Sequence, residues 1–292
     1  MVMKKNISDR IFDSVNTLFM ILMAIITVYP FYYVIICSIS DATQLISARG
    51  ALLAPQGISL SAYKAVLSNP NILTGYRSTL IIVVFGTAFN LLMTSLGAFL
   101  ITRKGFAIKR VMGLMMVFTM YFSGGMIPSY LLVFKYLHLG DTLWALIIPT
   151  AISTYNLIIM KTNFEAIPDS IEESAKIDGA NDVVIFARII MPLSMPIIAV
   201  MILFYGVSHW NSWFNAMIYL RTRTKFPLQL ILREILLMDS TDSMSGSDAD
   251  SYAIAATIKY ATIMIATVPI LCVYPFIQKY FVKGIMIGAV KG

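Results

Sequence analysis

Apolar residues run along this chain in six long stretches, and polar residues gather between them. Residues 14–40, 78–102, 111–134, 142–160, 189–220 and 260–278 contain no Asp, Glu, Lys or Arg. Each is close to or longer than the ~20 residues that carry a helix across a bilayer. One such stretch would fit a buried helix of a soluble protein, but six in succession do not. The pattern predicts an all-α integral membrane protein with six transmembrane helices, at about 14–40, 78–102, 111–134, 142–160, 192–220 and 260–280. Together they form a single transmembrane domain over residues 1–292.

Composition agrees. The 292 residues are 58% hydrophobic and 13% charged, against roughly a quarter charged in soluble domains. The first stretch exceeds the ~7–15 apolar residues of a cleavable signal, and Tyr29, Tyr32 and Tyr33 near its far end suit an interfacial aromatic belt. It is read as a retained first helix.

Lys and Arg resist translocation, so their distribution sets orientation. With the N-terminus inside, 13 of the 22 fall on inner segments, and the short turn 103–110 is strongly basic. Both termini are therefore expected in the cytoplasm, and the net charge of +7 is accounted for without any nucleic acid.

The apolar stretches hold no acid or base other than His209, and an isolated histidine at a helix end is more often a satisfied polar group than a base. Ion-driven carriers place acidic or basic groups at mid-membrane depth, so an ion-coupled secondary carrier for a small polar solute is the weaker alternative. Cys37 and Cys272 sit singly in apolar stretches, with no disulfide or metal spacing. No nucleophile–base pairing is visible. No glycine-rich phosphate loop with its lysine is present. Neither enzymatic chemistry nor ATP binding is expected of this chain.

One inter-helix connection is unusual. Residues 162–188 carry Glu165, Asp169, Glu172, Glu173, Asp178 and Asp182 against Lys176 and Arg188, a net-acidic projection on a basic protein. Pro168 ends the preceding helix. Ser170 with Glu173 fits a capping box that would start a new one. Gly179 suits its left-handed end, and Asn181 caps a second helix running towards Pro192. The result is a bent, water-facing elbow suited to a soluble partner, since backbone of this kind cannot face lipid. On the opposite side, residues 221–259 form a long polar loop whose Met244-Ser245-Gly246-Ser247-Asp248 run has the composition of a mobile tip.

These residues carry a family resemblance. Glu173-Ser174-Ala175, then Gly179, then Ile189-Ile190-Met191-Pro192 resembles the E-A-A loop of permease subunits in bacterial ATP-binding-cassette importers, with Ser174 and Met191 departing from its usual Ala and Leu. Trp210-Asn211-Ser212-Trp213-Phe214 and the tail Gly288-Ala289-Val290-Lys291-Gly292 resemble the carbohydrate-uptake, maltose-type branch. Met120-Tyr121-Phe122-Ser123-Gly124-Gly125-Met126-Ile127-Pro128 is similar to the sub-branch that imports polysaccharide fragments. The resemblance implies a type I importer permease fold in the bacterial cytoplasmic membrane. It also implies a homologous second permease as heterodimeric partner, two ATPase subunits that use ATP and Mg, and an extracytoplasmic binding protein that delivers oligosaccharide.

By that resemblance Glu172, Glu173, Ser174, Ala175, Ile177, Asp178, Gly179, Ala180, Gly288 and Lys291 contact the ATPase. Arg221, Arg223 and Gly246 belong to the loop that meets the binding protein. Tyr155, Asn156, Trp210 and Asn211 supply the aromatic faces and hydrogen-bonding groups that sugars use, although anchoring and helix packing use the same residue types. Arg221, Arg223 and Lys225 suit an acidic uronate oligomer, such as an alginate or pectin fragment, and equally an ordinary positive rim.

Overall fold

The computed structural model describes residues 7–48, 52–103, 108–242 and 257–272, with residue 275. Every regular element among them is helical. The chain divides into two compact units, residues 1–69 with 234–267, and residues 70–233 with 268–292.

The first unit holds α1 (Ile7–Ser38), α2 (Ala42–Ser47) and α3 (Ser61–Ser68). Asp41 accepts the Thr43 and Gln44 backbone N–H groups and so starts α2. A small core of Ile36, Cys37, Leu45 and Leu52 forms beneath it, with the Tyr33 ring edge-on to Tyr260 at 5.9 Å.

The second unit is organised on α4 (Pro70–Thr102). Proline at its first position lacks only an N–H that would be unpaired there anyway. No break interrupts it, and its 33 residues extend about 50 Å at 1.5 Å per residue. One face is a buried stripe that includes Gly75, Thr79, Gly86, Asn90, Thr94 and Ala98. Small residues at this spacing let helices approach closely where lipid offers no hydrophobic drive. Accordingly α4 packs against α7 (Trp144–Ile147), α8 (Thr154–Glu165) and α12 (Met195–Trp210).

The remaining elements are α5 (Lys109–Tyr121), α6 (Met126–Leu131), α9 (Asp169–Ile177), α10 (Asp182–Ile185), α11 (Met191–Leu193), α13 (Phe214–Tyr219) and α14 (Leu228–Asp242). α15 (Thr257–Cys272) follows. Two cores lie on opposite halves of α4. One gathers Phe99, Met160, Phe164, Ile185 and Met201, and the other Ile82, Val133, Leu146, Tyr219 and Leu230.

Several expected boundaries shift. α1 starts near residue 7 rather than 14, and α4 at Pro70 rather than 78, which brings Arg77 from the expected loop into helix. Of the expected loop 221–259, residues Leu228–Asp242 are helical, because Leu228, Leu230, Ile231 and Leu232 are buried and supply an apolar face. Three apolar stretches expected as single helices are broken. Lys109–Tyr121 meets Met126–Tyr136 at 118°, Trp144–Thr150 meets Thr154–Glu165 at 51°, and Asp182–Leu193 meets Met195–Trp210 at 83°.

Candidate functional site

The acidic elbow is built by α9 and α10. Its start differs from the expected capping box. Pro168, with extended ψ of 130°, precedes the first helical residue, and Ser170 lies inside the helix, where Ser174 Oγ donates to its carbonyl. The C-terminal end is as expected. Gly179 N–H donates to Lys176 O at 3.0 Å and Ala180 N–H to Ala175 O at 2.9 Å, with Gly179 at φ +82°. This pair of bonds closes the last turn only when the residue between is left-handed, which glycine adopts without strain. Asn181 Oδ1 then accepts Val184 N–H at 2.9 Å and starts α10.

The elbow has an outer and an inner face. Glu173, Ser174, Asp178 and Gly179 are exposed, and so are Ile177 and Val183 at 86% and 73% of their surface. Two bare aliphatic side chains among carboxylates make a face suited to a partner. Ala175 and Ala180 pack inward against the Phe99–Met201 core. Glu172 also turns inward and pairs with Arg103 and, at 3.0 Å, with Lys176. Burial alone would raise the Glu172 carboxyl, but hydrogen bonds from Lys176 and Arg103 outweigh it and hold the group below the ordinary carboxylate range. A cleft of about 620 Å³ opens between elbow and α4, lined by Arg103, Phe164, Ile167, Glu172, Glu173 and Asp182.

A second cavity, about 360 Å³, lies between α4, the α7–α8 break and α12. The break frees backbone groups that lipid cannot satisfy, and neighbouring helices satisfy them. Asn90 Nδ2 donates to Thr150 O, and Ser153 N–H donates to Tyr205 Oη at 3.2 Å, which also bonds Thr94 Oγ1 at 2.7 Å. Because the Asn90 amide nitrogen is donating, its oxygen is the acceptor for His209 Nε2 at 2.7 Å. Ser208, Ser212 and Asn215 add further polar groups to the lining, and no hydrogen bond among the described residues uses their side chains. The lining contains no Asp, Glu, Lys or Arg.

The sugar-contact residues expected from sequence are not brought together here. Tyr155 is exposed on α8, Asn156 is buried, Trp210 is buried edge-on to Tyr76 at 6.3 Å, and Asn211 is exposed. None lines the cavity. Asn90, Tyr205 and Asn215 went unnoticed in the sequence. The visible signal was the small and polar repeat along α4 and the recurrence of polar residues at 208, 212 and 215.

At the opposite end of the second unit, Asp141 clasps the segment after α13. It accepts the Arg221 and Thr222 N–H groups at 2.9 Å and pairs with Lys225 at 3.0 Å. The Arg221 guanidinium stands over Phe134 at 5.2 Å. Lys225 is thus paired within the chain, and Arg221 stays exposed while its guanidinium stands over Phe134. Gly246, Gly288 and Lys291 lie outside the described residues.

Residues 94–287 match the family described as binding-protein-dependent transport system inner membrane component. The chain is 43% identical over 286 residues to the polygalacturonan/rhamnogalacturonan transport system permease protein YtcP of Bacillus subtilis (strain 168), covering 97% of this chain and 99% of that one. It is 42% identical over 287 residues to protein LplC of the same organism, covering 98% and 96%. Among solved structures, a chain of a bacterial ABC transporter involved in the import of the acidic polysaccharide alginate superposes with a TM-score of 0.86 at 34% identity, covering 96% of this chain and all of that one.

Proposed function

The chain belongs to the family of binding-protein-dependent transport system inner membrane components, and from that premise we propose that it passes polysaccharide-derived oligosaccharides, polyuronate fragments foremost, through an ATP-driven importer. It is a permease subunit, a transport component whose fuel comes from a separate ATPase. A homologous second permease completes the passage, two ATPase subunits bind ATP and Mg, and an extracytoplasmic binding protein delivers the sugar. The substrate assignment leans on the relatives, one named for galacturonate polymers and one from an alginate importer.

Six crossings fit this role: α1, α4, α5 with α6, α7 with α8, α10 to α12, and α15, with both termini cytoplasmic. Two contacts support the arrangement. Arg103, at the basic turn, meets the elbow, and Asp141 meets the segment 221–225. Inner thus joins inner, and outer joins outer, as the charge distribution expects.

The observation that carries the reading is the elbow, which leaves Glu173, Ile177 and Val183 exposed while the left-handed Gly179 sets its bend. Closure of the ATPases pushes this face, and the spans rock between states that open to either side. A ligand or partner shifts such an equilibrium only through contacts that differ between the states, and a rigid elbow supplies them. The cavity beside the α7–α8 break, with no Asp, Glu, Lys or Arg in its lining, offers hydroxyl and amide groups to sugar hydroxyls.

Reconstitution with the second permease, ATPase and binding protein tests this. Oligogalacturonate uptake is expected to require ATP, and Glu173→Lys should strip the ATPase from the purified complex. Uptake by the lone chain without nucleotide, or normal ATPase retention by Glu173→Lys, would refute it.

A further inference from the structure

Adjacent residues on a helix point about 100° apart, and α9 places two adjacent glutamates in different environments. Glu173 is exposed, whereas Glu172 keeps 18% of its side-chain surface and pairs with Arg103, which keeps 15%. Arg103 follows directly on the last residue of α4 and is held from several sides. Its guanidinium stacks over Phe99 at 4.0 Å and its Nε donates to Phe99 O at 3.3 Å, while Lys109 Nζ reaches its carbonyl at 3.3 Å. The Phe99 ring in turn sits 5.0 Å from Phe186 beyond the elbow. Lys176, about half exposed, pairs with Glu172 from the solvent side, where water screens it.

Chain connectivity already ties the elbow to α8 and to α10–α12. It does not tie the elbow to α4, which lies elsewhere in sequence and yet carries Asn90, the residue that stitches Thr150 and His209 beside the second cavity. Asn90 stands 13 residues before Arg103, about 20 Å along a straight helix at 1.5 Å per residue.

We propose that the Glu172–Arg103 pair is a transmission strut: it makes α4 follow the elbow, so that displacement of α9 by the ATPase reaches the cavity lining. The two glutamates divide the work, Glu173 facing the motor and Glu172 the passage. This rests on the importer reading above. Glu172 and Arg103 are positioning residues and touch neither nucleotide nor sugar. An ion pair this enclosed is little screened by salt, and the planar guanidinium holds both Phe99 and a carboxylate in a way lysine does not reproduce.

The test uses the complete importer in proteoliposomes, with binding protein and oligogalacturonate. Glu172→Gln, Arg103→Gln, the double variant and Arg103→Lys are compared for ATPase retention and for sugar taken up per ATP hydrolysed. The expected result is that all variants retain the ATPase and that each Gln variant lowers uptake per ATP about fivefold or more, within the ordinary range of site-to-site coupling. The double variant should be no worse than the single ones, and Arg103→Lys should fall between. An unchanged ratio overturns the strut, as does multiplication of the two losses in the double variant. Loss of the ATPase also overturns it, since the pair would then merely shape the docking face. A wild-type complex without ATP-driven uptake sinks the importer reading and the strut with it, whereas a working wild type with unaffected variants sinks the strut alone.

Discussion

Gly86 is the place where helix packing and the polar stitch meet, and replacing it with alanine gives a sharp measurement. A Cβ at Gly86 would lie 2.6 Å from His209 Nε2, 2.9 Å from its Cε1 and 3.0 Å from its Cδ2. Three atoms of one ring sit inside contact distance, so the ring must retreat by several tenths of an ångström. The retreat stretches the 2.7 Å bond from His209 to Asn90. Overpacking of this kind costs about 1–3 kcal/mol, and a weakened interhelical hydrogen bond adds about 0.6 kcal/mol. Alanine returns about 0.8–1 kcal/mol over glycine inside a helix. The net expectation is a loss of about 1–3 kcal/mol.

Gly97, on the same helix, is the control. There a Cβ meets only the Leu157 Cδ1 methyl at 3.0 Å, with the next atom, Ile152 Cδ1, at 4.0 Å. Gly97→Ala should therefore stay within about 1 kcal/mol of wild type, since the propensity gain offsets a small shift of one leucine tip. Thermal unfolding of the purified complex reads both. The decisive arm is His209→Ala, which removes the obstructing ring. In that background Gly86→Ala should turn neutral or stabilising, giving an interaction energy of about 1–3 kcal/mol between the two sites. If Gly86→Ala matches wild type, or costs as much without the histidine as with it, the packing argument fails.

Three other expectations follow from the geometry. Gly179→Ala meets no atom within 4 Å, so its cost is purely the left-handed backbone at φ +82°, about 1–2 kcal/mol; ATPase retention should fall, and Gly179→Asn should retain more than Gly179→Ala. Tyr205→Phe deprives the Ser153 N–H of its acceptor and Thr94 of its partner, costing about 1–3 kcal/mol, and amide exchange at Ser153 should speed up. At Asp141, hydrogen bonds from the Thr222 hydroxyl and from the Thr222 and Arg221 N–H groups, with Lys225, hold the carboxyl well below the usual carboxylate range. A depressed group contributes stability above its unfolded value near 3.9 and loses it only as pH falls through the lower folded value. Exchange protection at the Arg221 and Thr222 amides should thus be flat from pH 5 to 8, and Asp141→Asn should reduce it at every pH in that window.

Much of the elbow was legible in sequence because its determinants are local. Gly179 and Asn181 announce a left-handed helix end and a cap through their own backbone and side-chain chemistry, and both stand where expected. The capping box failed because Pro168, already extended, can precede a helix directly, which starts α9 one residue before Ser170. The breaks in the apolar stretches were hidden for a different reason. A charge-free window reports transfer into lipid averaged over its length, and it is blind to a turn at Ser123–Gly125, at 151–153 or at Ser194. The inward turn of Glu172 was also invisible, since Arg103 lies 69 residues away in sequence. Likewise Asn90 and His209 meet across 119 residues, a pairing that neither residue type announces.

The three breaks are not equivalent, and the difference says which of them can respond to movement of the spans. Near Ser123 the chain satisfies itself: Phe122 N–H returns to Phe118 O, and Gly125 N–H finds Ser123 Oγ. At Ser194 the backbone again closes locally, with Ser194 N–H on Ile190 O and Ile198 N–H on Ser194 O. These bonds come from each bend's own segment and need no partner on a neighbouring helix. The α7–α8 break has local bonds too, Ala151 N–H on Ile148 O and Asn156 N–H on Ser153 Oγ, but it also takes partners from Asn90 on α4 and Tyr205 on α12. Unpaired backbone at membrane depth is costly, so relative motion of α4 and α12 must either carry this break along or hand its groups to water. The cavity lined by Ser208, Ser212 and Asn215 lies at that same point. A shift of α4 would therefore alter the hydrogen bonds of this break and the lining of the cavity together.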